Sequence, residues 1–281
     1  MSIRLVFQSN AEEMDLATCL KHAERIMVVA GAGLSRPSGL PTFRQDAHFW
    51  EGSIDQIATR AAFQDNFAQI WARYERFRQL ALDAPPNEGH YALARLAAAK
   101  PGLLFVTQNI DERSERAGHS LEQLVALHGS VFDVKCTNVS CSFTTRNNSR
   151  QAIIPFLTTS TRTSQTRDLE HTPPQDPEVP TCHLCNCAKL RPGMVWFGEV
   201  LPPVALSRVE RWLQEDDYVD LYLIIGTERT PFMQDALDLG AKVAWFDIFH
   251  PDDDVDPGDA TWIVSGDASE TVPSLVEEVL Q

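Results

Sequence analysis

The wholly apolar run Ile26-Met27-Val28-Val29-Ala30 passes directly into Gly31-Ala32-Gly33, and this junction limits the folds open to the chain more than any other stretch. A strand that feeds a tight glycine turn is a candidate phosphate cradle, because glycine admits a close approach that a side chain would block. The usual dinucleotide fingerprint asks for another glycine three residues on, and Arg36 stands there instead. The following stretch, Ser35 to Arg44, holds Pro37, Gly39 and Pro41, whose punctuation predicts a shaped loop.

The pattern of helix, strand and polar tip recurs along the chain. Residues 16–25 read as a helix leading into the first strand, and residues 90–99 as one leading through Pro101-Gly102 to a strand over 103–106. That strand delivers Thr107-Gln108-Asn109-Ile110-Asp111; strand patterns near 124–127, 219–225 and 243–246 deliver His128-Gly129, Gly226-Thr227 and Asp247. Sheets of the α/β class place ligands at the carboxyl ends of their strands. The expected fold class is therefore α/β, a Rossmann-like doubly wound parallel sheet. Residues 56–82 read as one helical stretch, with Ile57, Ala61, Phe67, Ile70, Tyr74 and Phe77 on its apolar face and Pro85-Pro86 as its stop.

A chain of 281 residues with 43% hydrophobic content can bury one sizeable core and one smaller module. The expected division is a Rossmann-like domain over 1–132 and 191–281, carrying a helical insertion at about 45–88, and a small zinc-binding module over 133–190. Within that module Thr158 to Pro180, rich in Ser, Thr, Gln, Pro and charge, reads as a mobile insert outside any core. The longest apolar runs, Ile26–Ala32 and Leu221–Gly226, fall far short of the ~20 residues that cross a bilayer, so no membrane span is expected. Residues 1–15 carry Glu12, Glu13 and Asp15 and read as neither a secretory signal nor a transit peptide, which gives a cytoplasmic or nuclear expectation. The formal net charge of -15 repels phosphate backbones and argues against nucleic acid as a direct ligand. A basic protein tail suits its sign better, although many proteins are acidic only to stay dissolved.

Five of the six cysteines crowd into 136–187, and in a reducing compartment such clustering favours a metal over disulfides. Cys136-x4-Cys141 followed by Cys182-x2-Cys185 supplies two short turns of thiolates, which suits tetrahedral zinc. Cys187 offers a rival spacing, and the two-residue spacer favours Cys185 as the fourth ligand. All-thiolate coordination leaves no open position for substrate, so the metal is expected to be structural.

The stretch Gly31-Ala32-Gly33-Leu34-Ser35-Arg36-Pro37-Ser38-Gly39-Leu40-Pro41-Thr42-Phe43-Arg44 resembles the cofactor-binding stretch of the sirtuin (Sir2) family. Thr107–Asp111, then His128-Gly129, then Arg191-Pro192-Gly193-Met194-Val195-Trp196-Phe197-Gly198-Glu199 follow in that family's order, with the cysteines between the last two. The likeness extends more weakly to Gly226-Thr227 and Gly266-Asp267-Ala268. The resemblance implies an NAD-dependent protein-lysine deacylase. In such an enzyme the acyl-lysine carbonyl oxygen attacks the ribose carbon as nicotinamide leaves, and His128 then deprotonates a ribose hydroxyl. A lysine and a 2′-O-acyl-ADP-ribose result. Read on its own, a lone histidine more often satisfies local hydrogen bonds. Here Gly129 lets a ligand approach the adjoining backbone, and an imidazole suits a general base.

By the same resemblance Asn109 and Asp111 line the nicotinamide pocket, Gln108 contacts ribose and Phe43 covers the reacting face, with Asn109 ranked beside His128 as catalytic. Gly31, Ala32, Gly33, Ser35, Pro41, Arg44, Ile110, Gly226, Thr227, Asp247 and Ala268 complete the cofactor shell it implies. For Asn109 and Asp111, helix capping after the strand is the competing reading. Gly193–Glu199 resembles the segment on which a substrate peptide adds as a strand, read mostly through backbone hydrogen bonds, with Val195, Trp196, Phe197, Gly198 and Glu199 as its implied substrate residues; an ordinary core strand is the competing reading for Val195-Trp196-Phe197. The implied partners are acylated lysines of proteins, histones among the candidates.

Two places depart from the family pattern. Glu228 follows Gly226-Thr227 where serine is usual, and Asp247 stands where asparagine is common; both add negative charge beside an anionic cofactor. In the acyl pocket, Gln56-Ile57-Ala58-Thr59 and Trp71-Ala72-Arg73-Tyr74 resemble the class III branch that removes succinyl and malonyl groups, marked by a Tyr followed three residues later by Arg. Phe77 occupies that Arg position, and without it a buried carboxylate lacks its charge partner. Arg78, one helical turn from Tyr74, is a candidate substitute, and a neutral acyl group is favoured over an acidic one. The alternatives are a protein ADP-ribosyltransferase using the same pocket, and a weakly catalytic NAD or ADP-ribose sensor or scaffold. His128 argues against the first, and Glu228 with Asp247 motivates the second.

Overall fold

The computed structural model describes residues 5–6, 15–43, 45–146, 179–228, 230–248 and 260–281. Strands β1 (Leu5–Val6), β2 (Ile26–Ala30), β3 (Leu103–Thr107), β4 (Leu124–Ala126), β8 (Leu221–Ile225), β9 (Lys242–Asp247) and β10 (Trp262–Ser265) form one seven-stranded sheet, ordered β1-β10-β9-β8-β2-β3-β4. Only β1 is antiparallel, pairing Leu5 with Val264, so a parallel sheet of six strands remains. From β2 the chain winds outward to β3 and β4, then returns to the other side of β2 to lay down β8, β9 and β10. The reversal between β2 and β8 is the point at which doubly wound sheets leave a crevice at their carboxyl ends.

Every residue of β2 is buried, and the pleat divides them between two layers. Ile26, Val28 and Ala30 pack with Leu16 and Leu20 of helix Leu16–His22, Leu93 and Leu96 of helix Glu88–Ala99, and Val272 and Val276 of helix Ala268–Leu280. Met27 and Val29 face Val209 and Trp212 of helix Pro203–Glu215 and Ala236 of helix Met233–Asp238. Helices thus cover both faces, as expected for alternating strand and helix.

The chain divides into two compact units: Met1–Gly39 with Pro85–Leu127 and Leu201–Gln281, and Leu40–Ala84 with His128–Val200. The sheet belongs to the first. The second holds an antiparallel sheet β6-β5-β7, built from β5 (Asp133–Cys136), β6 (Thr144–Arg146) and β7 (Leu190–Pro192), and the helices between residues 47 and 83. This grouping differs from the expected one, in which the helical insertion belonged to the large domain and the small module ran only from 133 to 190. Hydrogen bonds explain it: Trp71 Nε1 donates to the Leu190 carbonyl at 3.1 Å, Arg60 to the Thr137 carbonyl at 2.9 Å, and the Phe197 N–H to the Ala58 carbonyl at 2.9 Å.

The single helical stretch expected over 56–82 is also broken, into Ile54–Ile57, Arg60–Asp65 and Phe67–Asp83. Thr59 and Asn66 make the breaks, because their side chains accept from the N–H groups of Ala62 at 3.1 Å and Gln69 at 3.2 Å and so start new helices. The insert expected at Thr158–Pro180 lies outside the described residues up to 178. Formal charge is divided unevenly: the first unit holds 12 basic and 27 acidic residues, the second 12 and 12, so the whole -15 falls on the first.

Candidate functional site

In the first unit the expected cofactor residues gather at the carboxyl ends of β2, β3 and β8. The Gly33 N–H donates to the Gly226 carbonyl at 2.9 Å, and a Cβ on Gly33 would lie 2.5 Å from the Gly226 Cα. A Cβ on Gly226 would in turn lie 2.6 Å from the Gly33 Cα, and Gly226 takes φ of 59°. These glycines therefore let two loop backbones meet at the reversal between β2 and β8, a role distinct from ligand approach. Asn109 spans from β3 to the turn, its side-chain N–H₂ donating to the Gly31 carbonyl at 2.8 Å and to Ser35 Oγ at 3.2 Å. Thr227 Oγ1 donates to Gln108 Oε1 at 3.0 Å, which ties the β8 tip to the β3 tip.

Asp111 is buried, and one oxygen accepts the Arg113 N–H at 3.0 Å, so the capping role weighed for it is present. Asp247 ends β9 and accepts the Ile248 N–H at 2.8 Å; Ala268 opens the last helix behind its cap, Asp267. Glu228 follows at the β8 tip, Ala32 sits within the short helix Ala32–Ser35, and Ile110 lies in the loop after Asn109.

One member of this network was missed by sequence reasoning. His90, fully buried in helix Glu88–Ala99, accepts the Asn87 N–H on Nδ1 at 3.2 Å, and its Nε2 lies 3.3 Å from Ser35 Oγ. The proton is thus on Nε2, which donates to Ser35. Burial pushes the imidazole down to about 4, with Asp111 opposing, so it stays neutral. Ser35 Oγ then receives hydrogen bonds from both His90 and Asn109 and keeps its own proton to give, which fits a ribose or phosphate oxygen. The signal available was Asn87 three residues before His90, a capping-box spacing.

The second unit holds the expected base and substrate segment. The His128 carbonyl accepts the Val195 N–H at 2.8 Å, and Gly129 takes φ of 70°, a conformation glycine favours. The Val195 and Phe197 N–H groups are both engaged inside the unit, which leaves a peptide strand only the segment's other backbone groups. Glu199, expected as a substrate contact, is held elsewhere. Its carboxylate receives Arg191 at 2.5 and 2.9 Å and the Trp196 N–H at 3.0 Å, and the Arg191 guanidinium lies 3.5 Å over the Trp196 ring. Arg60 and Lys135 stand 3.7 and 3.8 Å from the same carboxylate. Gly198 follows with φ of 80°.

The acyl-pocket candidates form an aromatic cluster. Trp50 stacks on Phe43 at 4.4 Å and meets Phe77 at 5.3 Å and Tyr74 at 5.9 Å, and Tyr74 reaches Trp196 at 6.4 Å. Burial raises the Tyr74 phenol above its ordinary range, against Trp196 and Arg191, which favour its ionised form. Ala58 is buried and Pro41 half-buried; Arg44 lies outside the described residues. The Arg78 side chain, 1% exposed, is bound to Glu75 through two bonds of 3.0 and 2.6 Å, and Gln79 donates to the same carboxylate. Its charge is therefore neutralised on its own helix, which removes it as a substitute partner for an acidic acyl chain.

Cys136, Cys141, Cys182 and Cys185 come together, with all four sulfurs within 4.8 Å of one another. The Cys136–Cys185 and Cys141–Cys182 separations of 3.6 and 3.8 Å match the roughly 3.8 Å edge of a tetrahedron with 2.3 Å zinc–sulfur bonds. Backbone N–H donors, Cys187 first, lower the Cys185 thiol to about 6, while burial raises Cys136 to about 12. Cys187 is exposed and outside the group, so the residues fit a structural zinc held by Cys185.

A profile of the Sir2 family matches residues 31–230. The chain is 33% identical, over an alignment of 306 residues covering 96% of it and 99% of the relative, to an NAD-dependent protein deacylase of Candida albicans. It is 34% identical over 219 residues to the mitochondrial NAD-dependent protein deacylase sirtuin-5 of Canis lupus familiaris, covering 76% of this chain and 67% of that one. Among solved structures, a Sir2 homologue complexed with NAD superposes with a TM-score of 0.75 at 28% identity, covering 98% of this chain and 97% of that one. A mutant Sir2 homologue bound to ADP-ribose gives 0.74 at 28%, covering 95% and 97%.

Proposed function

The chain belongs to the Sir2 family, and from that premise we propose which of its residues carry NAD-dependent protein deacylation. The activity consumes NAD and takes acylated protein as substrate. When bound, NAD supplies the ribose carbon that accepts the acyl oxygen and the nicotinamide that leaves.

The observation that carries the assignment is the bonding of Asn109 to both the Gly31 carbonyl and Ser35 Oγ. It fixes the strand tip and the glycine turn as one polar surface at the sheet reversal, where such folds bind nucleotides. Ser35 donates its remaining proton to the cofactor, Gln108 and Thr227 orient the ribose, and Asp111 shapes the nicotinamide end. His128 takes the proton of a ribose hydroxyl as general base, and its carbonyl, bonded to Val195, registers the substrate segment beside it. Phe43 shields the reacting face.

The aromatic cluster and the neutralised Arg78 favour a neutral acyl group over succinyl or malonyl, since an ionised carboxylate placed among Trp50, Tyr74 and Phe77 would lack a free counter-charge among the described residues. Basic tails such as those of histones suit the acidic first unit as carriers of that acyl-lysine. The test is a panel of one peptide bearing acetyl, propionyl, butyryl, crotonyl, succinyl or malonyl lysine, with NAD, comparing the wild type and His128→Ala. Peptide-dependent nicotinamide release from the neutral set, abolished in the variant, is the expected result. Release that persists in the variant, or protein labelling without peptide, would reject the roles given.

A further inference from the structure

Two indole donors of the aromatic cluster are buried without an acceptor among the described residues. Trp50 and Trp196 are each 2% exposed, and among the described residues neither Nε1 has a hydrogen-bond partner. The Trp196 indole interacts with the Tyr74 hydroxyl without reaching hydrogen-bond geometry, and the Trp50 ring is enclosed by Phe43, Phe49, Tyr74 and Phe77. A buried tryptophan N–H usually finds an acceptor, and one left without is costly, so a buried site with two such donors is built around a group that arrives from outside.

The acceptor that arrives can be narrowed by charge. A carboxylate would accept these bonds, but among the described residues the nearby guanidinium groups are committed, Arg78 to Glu75 and Arg191 to Glu199, while Arg76 lies over Phe49 at 4.4 Å and is exposed. A plain hydrocarbon chain would fit the rings and leave the donors unmet. We infer that the acyl site prefers an acyl-lysine whose chain carries a neutral oxygen acceptor, a hydroxyacyl group such as 3-hydroxybutyryl, over the hydrocarbon acyl group of the same length. The inference rests on the deacylase reading and on the cluster of Trp50, Tyr74 and Phe77 forming the acyl pocket. Trp50 is then a specificity-determining residue, giving its Nε1 proton to the acyl hydroxyl oxygen.

The experiment compares kcat/KM of the full chain for one peptide carrying butyryl-lysine or either enantiomer of 3-hydroxybutyryl-lysine, with NAD, in the wild type and in Trp50→Phe. A buried hydrogen bond corresponds to roughly 10-fold in this ratio. The expected result is about 10-fold preference for one hydroxybutyryl enantiomer in the wild type, collapsing towards one in Trp50→Phe. Equal rates for butyryl and both hydroxybutyryl peptides, the outcome if water satisfies the indoles, would overturn the inference, as would a preference that survives Trp50→Phe. Calorimetric binding of the same peptides to the wild type reads the preference without turnover and without a variant. Absence of turnover on every peptide would instead reject the deacylase roles, while that binding ratio still decides the pocket.

Discussion

Both carboxylate oxygens of Glu199 are taken by the guanidinium of Arg191, at 2.5 and 2.9 Å, closing a loop over the eight residue steps between them. The enclosed turn carries Val195, whose N–H holds the His128 carbonyl. Removing one partner of a buried pair leaves the other uncompensated, at roughly 3–5 kcal/mol. Glu199→Ala is therefore expected to destabilise the protein towards the lower end of that range, since the glutamate side chain is 11% exposed, and to raise the peptide KM more than the NAD KM. A denaturant titration and steady-state kinetics check both; unchanged values would show the clamp to be idle.

His90 makes the fold acid-sensitive in a defined window. Its pKa lies near 4 in the folded chain against an ordinary 6.5, so as pH falls the unfolded chain takes up the proton first. Its contribution is complete above about 6.5 and is lost between there and about 4, amounting to about 3 kcal/mol at 1.36 kcal/mol per pH unit. His90→Asn should flatten unfolding free energy against pH across that window, and a slope equal to that of the wild type would count against it.

Zinc content should distinguish two neighbouring thiols. Cys185→Ser is expected to lose bound zinc and to lower the melting temperature, whereas Cys187→Ser keeps the metal, because only Cys185 lies within the cluster of four sulfurs. Metal analysis of the purified variants decides; equal zinc loss in both would reassign the fourth ligand.

Gly226→Ala should injure cofactor binding selectively. The new methyl would meet the Gly33 backbone at 2.6 Å in a conformation that L side chains rarely adopt, and backbone cannot rotate aside. The expected result is a rise of at least ~10-fold in the NAD KM, the loss of about 1.4 kcal/mol, with little change in zinc content. A wild-type NAD KM would mean the two loops can separate without harm.

Much of the first unit was legible because its signals are local. Apolar runs such as Ile26–Ala30 and Leu221–Ile225 end at glycines or amides, and each became a buried strand with its polar tip at the sheet edge. The cysteine spacing likewise gave its cluster. What stayed hidden depends on packing between distant segments. Trp50 sits on the four-residue helix Ala47–Trp50, too short to show a periodicity, and gains its meaning only from Phe43 and Phe77 around it. Arg78 looked available at one turn from Tyr74, yet Glu75, on the same helix, claims it. The helical stretch joined the cysteine-bearing unit through Trp71, Arg60 and Phe197, contacts that no local pattern announces.

The uneven division of charge also sets the traffic of the two substrates. NAD is an anion, and most of the residues proposed to bind it, among them Ser35, Gln108, Asn109 and Thr227, sit on the unit that carries all of the -15. Its capture climbs a repulsive potential that salt screens over about 8 Å at physiological ionic strength. A lysine-rich tail descends the same potential. Raising ionic strength should therefore lower the apparent KM for the dinucleotide while raising that for a basic peptide, so a single salt titration would move the two constants in opposite directions.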